Sequence, residues 1–102
     1  MKTIDVHQLK AKIEAEPSLN LVDVREPSEH DEFNVGGLLL PLGDIRAGDI
    51  ESIESLKDQE VVLYCRSGNR RGQAALILES MGFTNVINVV GGMLSWRENF
   101  PG

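Results

Sequence analysis

Cysteine is nearly missing from this chain: there is one, Cys65. A single thiol rules out an internal disulfide and any metal site built from several thiolates. Basic residues are also outnumbered, 10 Lys and Arg against 16 Asp and Glu, for a net charge of -6. Nonspecific nucleic-acid binding needs an extended basic face and is therefore not expected. The two histidines, His7 and His30, lie far apart and share no ligand spacing with the cysteine, so both are expected at the surface. No stretch reaches membrane-spanning length, and the N-terminus lacks a basic segment followed by an apolar run. The expectation is a cytoplasmic protein with neither membrane nor nucleic-acid partners. No internal repeat, low-complexity tract or shift of composition divides the 102 residues, and 41% hydrophobic content is enough for one core without staples. Residues 1–102 read as a single domain.

What is present centres on Val61-Val62-Leu63-Tyr64-Cys65-Arg66-Ser67-Gly68-Asn69-Arg70-Arg71-Gly72. The apolar run reads as a buried strand ending at the cysteine; apolar residues at 74, 77, 78 and 81 then mark one face of a helix. Strand, tight loop and helix put the thiol near a helix N-terminus, where unpaired backbone N–H groups and aligned peptide dipoles favour negative charge. A thiolate is the natural occupant of such a place. Arg66, Arg70 and Arg71 put three of the ten basic residues within six positions, a local anion site on an acidic body. Ser67, Gly68 and Asn69 accept turn or left-handed geometry, which lets successive N–H groups point inward as a cradle. The plainer alternative is a buried structural cysteine, which would not need a Gly-rich and Arg-rich loop behind it.

In chain order, residues 2–4 suggest a short strand, and Asp5 with Gln8 resembles a capping box for a helix that buries Val6, Leu9 and Ile13. After a turn at 17–20, residues 19–25 read as a strand whose unusual members are Asp23 and Arg25. If the strands are parallel, this pair ends on the same sheet edge as Cys65, the edge where open α/β sheets bind ligands. A structural ion pair near the cysteine loop is expected in preference to a direct substrate contact. Pro27 fits the first position of a short helix to about Phe33, with Glu26, Glu29, Asp31 and Glu32 as a solvated face. Residues 38–42 read as a third strand ended by Pro41, and 43–58 as two helical pieces separated at Gly48. Residues 86–90 supply a further strand, Gly91-Gly92 follows, and 93–100 reads as a terminal helix in which Trp96 packs. Strands alternating with helices along the whole chain imply an α/β fold, a mostly parallel sheet with helices on both faces.

Three blocks together resemble the single-domain rhodaneses, a family of sulfurtransferases: Leu21-Val22-Asp23-Val24-Arg25-Glu26-Pro27, then Val62 to Arg70, then Gly91-Gly92 with Trp96 shortly after. The resemblance covers almost the entire chain, and the cysteine block is its specific part. It implies a rhodanese-like three-layer domain with a five-stranded sheet. It also implies a catalytic Cys65 that takes a sulfane sulfur from a donor such as thiosulfate, holds it as a persulfide and delivers it to a thiophilic acceptor, a small thiol or a protein. Arg66, Ser67, Gly68, Asn69 and Arg70 would form the loop whose N–H groups hold the outer sulfur, and Asp23 and Arg25 would brace it. No metal and no organic cofactor is called for.

The chain departs from the family pattern in two places. Phe33-Asn34-Val35-Gly36-Gly37 stands where members commonly carry a Gly-His-Ile segment, and Arg71 stands where Ser or Ala is frequent. Arg71 completes Cys-x5-Arg, the signature of cysteine-dependent phosphatases, some of which share this fold with arsenate reductases; there the arginine holds two oxygens of the substrate. Against that reading, residues 65–70 match the six-residue sulfurtransferase loop, and Tyr64 occupies the place where phosphatases usually have histidine. A third reading is a non-catalytic module that docks a partner or carries sulfur to it.

Overall fold

A computed structural model describes residues 1–67 and 72–101. The chain runs β1 (Lys2–Ile4), α1 (Val6–Ala15), β2 (Leu21–Asp23), α2 (Pro27–Glu32), β3 (Leu38–Leu39), α3 (Leu42–Arg46), a 3-10 helix (Glu51–Leu56), β4 (Glu60–Tyr64), α4 (Gln73–Ser80), β5 (Asn85–Val89) and α5 (Gly92–Asn99). The five strands form one sheet in the order β1-β5-β4-β2-β3, and every pairing is parallel. Parallel neighbours require crossovers, and the helices supply them.

Alternation along the central strand divides the core in two. Val61 and Leu63 of β4 face Ile45, Ile53, Ala75 and Leu78, which belong to α3, the 3-10 helix and α4. Val62 and Tyr64 face the other way, against Val6 and Leu9 of α1 and Met93 of α5, with Trp96 and Phe100 packed at the margin. A strand buried on both faces is apolar throughout, as 61–64 is. The capping box forms as expected: Asp5 accepts from the Gln8 N–H at 2.8 Å and Gln8 accepts from the Asp5 N–H at 2.9 Å.

Two strands are shorter than their apolar runs suggest. β2 stops at Asp23, although the Val24 N–H still donates to the Tyr64 carbonyl at 3.0 Å. β3 is two residues long, although the Leu40 N–H still donates to the Asp23 carbonyl at 2.8 Å and the Leu42 N–H to that of Val24 at 3.1 Å; Pro41 sits at the N-terminus of α3. The piece from 43 to 58 divides around Gly48 as its sequence suggests.

The packing gives a direct test. Leu78 of α4 has no exposed surface and Leu76 is 52% exposed. Leu78→Ala should cost about 2–5 kcal/mol in urea unfolding, and Leu76→Ala should stay within about 0.5 kcal/mol of the parent.

Candidate functional site

Because the strands are parallel, their C-terminal ends share one edge. Asp23 ends β2 beside Tyr64, which ends β4, and Cys65 is the next residue. A cavity of about 420 Å³ opens there, lined by Cys65, Arg66 and Ser67 from the loop, Val24 to Glu26 and Glu29 from the β2–α2 region, Gly72 to Ala74 from the start of α4, and Asn88 from β5. Cys65 is half-buried and Arg66 exposed. The expected site residues Arg25, Cys65, Arg66 and Ser67 therefore meet around one space. Asp23 lies behind it and reaches it through Arg25. Gly68, Asn69, Arg70 and Arg71 lie outside the described residues.

The loop is oriented from behind by α5. The N–H groups of Met93 and Leu94 donate to the carbonyls of Cys65 and Arg66, both at 2.9 Å. The peptide bonds of the described residues are all trans, and in a planar trans peptide the N–H points opposite to the C=O. Tying these two carbonyls to α5 therefore aims the N–H groups of Arg66 and Ser67 away from it, on the side where the cavity lies. Contact this close needs glycine at position 92, where a Cβ would overlap the Cys65 carbonyl oxygen and φ is +55°. The Gly91-Gly92 pair was legible in the sequence, but its contact with the cysteine loop was not.

Asp23 and Arg25 form the expected ion pair. Arg25 Nε donates to Oδ1 at 2.9 Å, Nη2 to Oδ2 at 2.8 Å, and the Arg25 backbone N–H to Oδ1 at 3.0 Å. Nη2 also donates to the Phe33 carbonyl at 2.6 Å, and the guanidinium lies 5.5 Å from the Tyr64 ring centre. The segment that replaces Gly-His-Ile is thus held by its carbonyls: Phe33 by Arg25, and Gly36 by the Tyr64 hydroxyl at 2.8 Å. Burial pushes the Asp23 carboxyl up, but hydrogen bonds from Arg25 and His30 and the Arg25 charge outweigh it and leave the group below its ordinary value. Burial and the Asp23 charge push the Tyr64 phenol upward, so it remains a protonated donor.

His30 corrects the sequence expectation. It does not stand at the surface: its Nδ1 lies 2.8 Å from Asp23 Oδ2, and its side chain is 20% exposed. The buried carboxylate, with a full set of acceptor sites, draws the imidazole inward from α2. His7 is exposed, edge-on to Phe100. The acidic face of α2 is solvated at Glu26, Asp31 and Glu32, whereas Glu29 is half-buried and lines the cavity with Glu26. Asn88 was also missed. The signal was present, since it is the one polar residue inside Val86-Ile87-Asn88-Val89-Val90.

Two measurements probe this geometry. Asp23→Asn strands the Arg25 charge in the core and should cost about 3–5 kcal/mol near neutral pH. Because the folded carboxyl is lowered, its stabilisation is complete above the ordinary value of 3.8 and is lost as pH falls through the lower folded value. The gap between parent and variant in urea unfolding should therefore narrow as pH drops below 3.8. Gly92→Ala should cost about 1–3 kcal/mol from the left-handed backbone alone and change the rate at which iodoacetamide alkylates Cys65. Gly43→Ala, with nothing near its added Cβ and no left-handed backbone, should leave that rate unaltered.

The comparisons agree with this fold. The family model described as "Rhodanese-like domain" matches residues 5–99. The chain is 45% identical over 99 residues to "Putative sulfurtransferase YtwF" of Bacillus subtilis, covering 95% of this chain and 91% of that one. It is 36% identical over 100 residues to "Sulfurtransferase" of Allochromatium vinosum, covering 96% and 91%. A crystal structure of a rhodanese-like domain protein from Staphylococcus aureus superposes with a TM-score of 0.80 at 29% identity, over 94% of this chain and 91% of that one. The chain spans only 49% of another Bacillus subtilis relative, YrkF, to which it is 35% identical. With the family model matched across most of its length and relatives of this similarity, the chain belongs to the rhodanese-like domain family.

Proposed function

We propose that residues 1–102 act as one sulfurtransferase domain, passing a sulfane sulfur from thiosulfate or a persulfide donor to a thiophilic acceptor through a persulfide on Cys65. Family membership and the names of the similar proteins support the general class, sulfur transfer. The route through Cys65 rests on one observation above the others: the carbonyls of Cys65 and Arg66 are tied to α5, which turns the following N–H groups toward the cavity. Donors so placed suit an anionic sulfur bound at the loop.

The chemistry balances without a cofactor. The Cys65 thiolate attacks the outer sulfur of thiosulfate, a new S–S bond forms, and the old one breaks with its electron pair leaving on sulfite. An acceptor thiolate then attacks the terminal sulfur of the Cys65 persulfide, takes that sulfur as its own persulfide, and returns Cys65 as thiolate. In this reading residues 66–70 are the sulfur-binding loop, Arg71 attracts the anionic donor, and Asp23 and Arg25 are positioning residues. With no second cysteine in the chain, the acceptor is another molecule, a small thiol or a partner protein. A reducing cytoplasm suits a protein that works through one thiol.

Intact mass spectrometry after incubation with thiosulfate tests the proposal. The expected result is a gain of one sulfur atom, released by added thiol and abolished by Cys65→Ser. Turnover of an aryl phosphate faster than thiosulfate would overturn it in favour of phosphoryl chemistry at Cys65 and Arg71. Silence with both, together with retention of a partner protein, would leave a docking module.

A further inference from the structure

Asn88 interrupts the apolar strand β5, and its surroundings give it a use. Its register partner on β4 is Leu63, so it shares the sheet face of Leu63 and, one alternation further, Cys65. It is 8% exposed and lines the same cavity as Cys65. A Cβ built on Gly72, the N-cap of α4, would stand 3.4 Å from Asn88 Cγ, which places the carboxamide against the start of that helix.

Among the described residues, buried Asp23 is committed to Arg25 and His30, and buried Arg25 to Asp23 and Phe33. The Asn88 carboxamide is different, making no hydrogen bond with any described residue. No side-chain polar atom among the described residues is both sealed from solvent and unpartnered. The Asn88 amide therefore keeps its access through the cavity it lines. A valine or isoleucine would fill this strand position without that demand, so the carboxamide is turned toward whatever the cavity holds.

We propose that Asn88 is a specificity-determining contact for the sulfur donor, its Nδ2 donating to the oxyanion end of a small donor of the thiosulfate type. Oxygen on sulfur is a good acceptor and divalent sulfur a weak one, so a carboxamide N–H matches the sulfonate end and not an alkyl persulfide. Among the described cations at the cavity, Arg25 is engaged with Asp23, and exposed Arg66 shares the lining with Glu26 and Glu29. This inference rests on the proposed sulfur transfer at Cys65.

The test compares loading of Cys65 from thiosulfate and from glutathione persulfide, followed by intact mass in the parent, Asn88→Leu and Asn88→Asp. Asn88→Leu should raise the thiosulfate concentration for half-maximal loading rate roughly 10- to 100-fold, as expected for one lost hydrogen bond to a charged group. Loading from glutathione persulfide should stay close to the parent. Its urea midpoint should hold or rise, since an apolar side chain replaces an uncommitted carboxamide; a merely structural asparagine would lower it. Asn88→Asp, nearly isosteric and so the control should leucine not fold, should load more slowly still from thiosulfate because it adds a negative charge and removes the donor. Parent-like loading of both variants from thiosulfate, or equal losses with both donors, would overturn the assignment while leaving sulfur transfer standing. A parent protein that gains sulfur from neither donor would overturn both.

Discussion

Two hydrogen bonds at the N-terminus of α5 organise the candidate site. The first amides of a helix have no partners within it, and here the N–H groups of Met93 and Leu94 find theirs in the carbonyls of Cys65 and Arg66. One contact thus satisfies the helix end and fixes the direction of the loop. Trans geometry does the rest, since a peptide with its oxygen turned back must turn its N–H forward. The Gly91-Gly92 turn lets the helix come this near. A pair of residues distant in sequence from the cysteine therefore governs what the cysteine faces.

A second constraint is the buried carboxylate at the end of β2. Asp23 has no exposed surface, and it gathers Arg25 from its own segment and His30 from α2. Arg25 extends the network to Phe33, and Tyr64 extends it to Gly36 from the strand that ends at the cysteine. The irregular segment from Phe33 to Gly37 needs no regular structure of its own, because its carbonyls are claimed by side chains from the sheet edge. Charge burial here serves placement: breaking such a cluster is costly even where assembling it adds little stability.

Although the division of the expected single core into two was not legible, the alternation of apolar strands and amphipathic helices was enough to read a mostly parallel sheet with helices on both faces, since it rests on local periodicity. The capping box at Asp5 and Gln8 and the break at Gly48 were legible for the same reason. The ends of β2 and β3 were not, because Val24 and Leu40 are as apolar as ladder residues and only their pairing in space decides. Cys65, Arg66 and Ser67 were found as a contiguous motif. His30 was misplaced at the surface, since nothing within its own helix announces a carboxylate seven positions earlier on another element. Asn88 did carry a sign, a polar residue in a β-branched run, but its meaning depends on which face of the sheet holds the cavity. Gly92 shows the same division: the doublet is plain to see, and the carbonyl it approaches comes from tertiary structure alone.

Both edge strands of the sheet are short, β1 with three residues and β3 with two. Unpaired backbone along an edge is a template on which other chains can add strands, and its hazard grows with length. The longer and largely apolar ladders of β4 and β5 are enclosed between neighbours. An incoming strand meets only a stub at either margin, too short to seed an intermolecular ladder. The stacking order of the strands thus doubles as protection against aggregation.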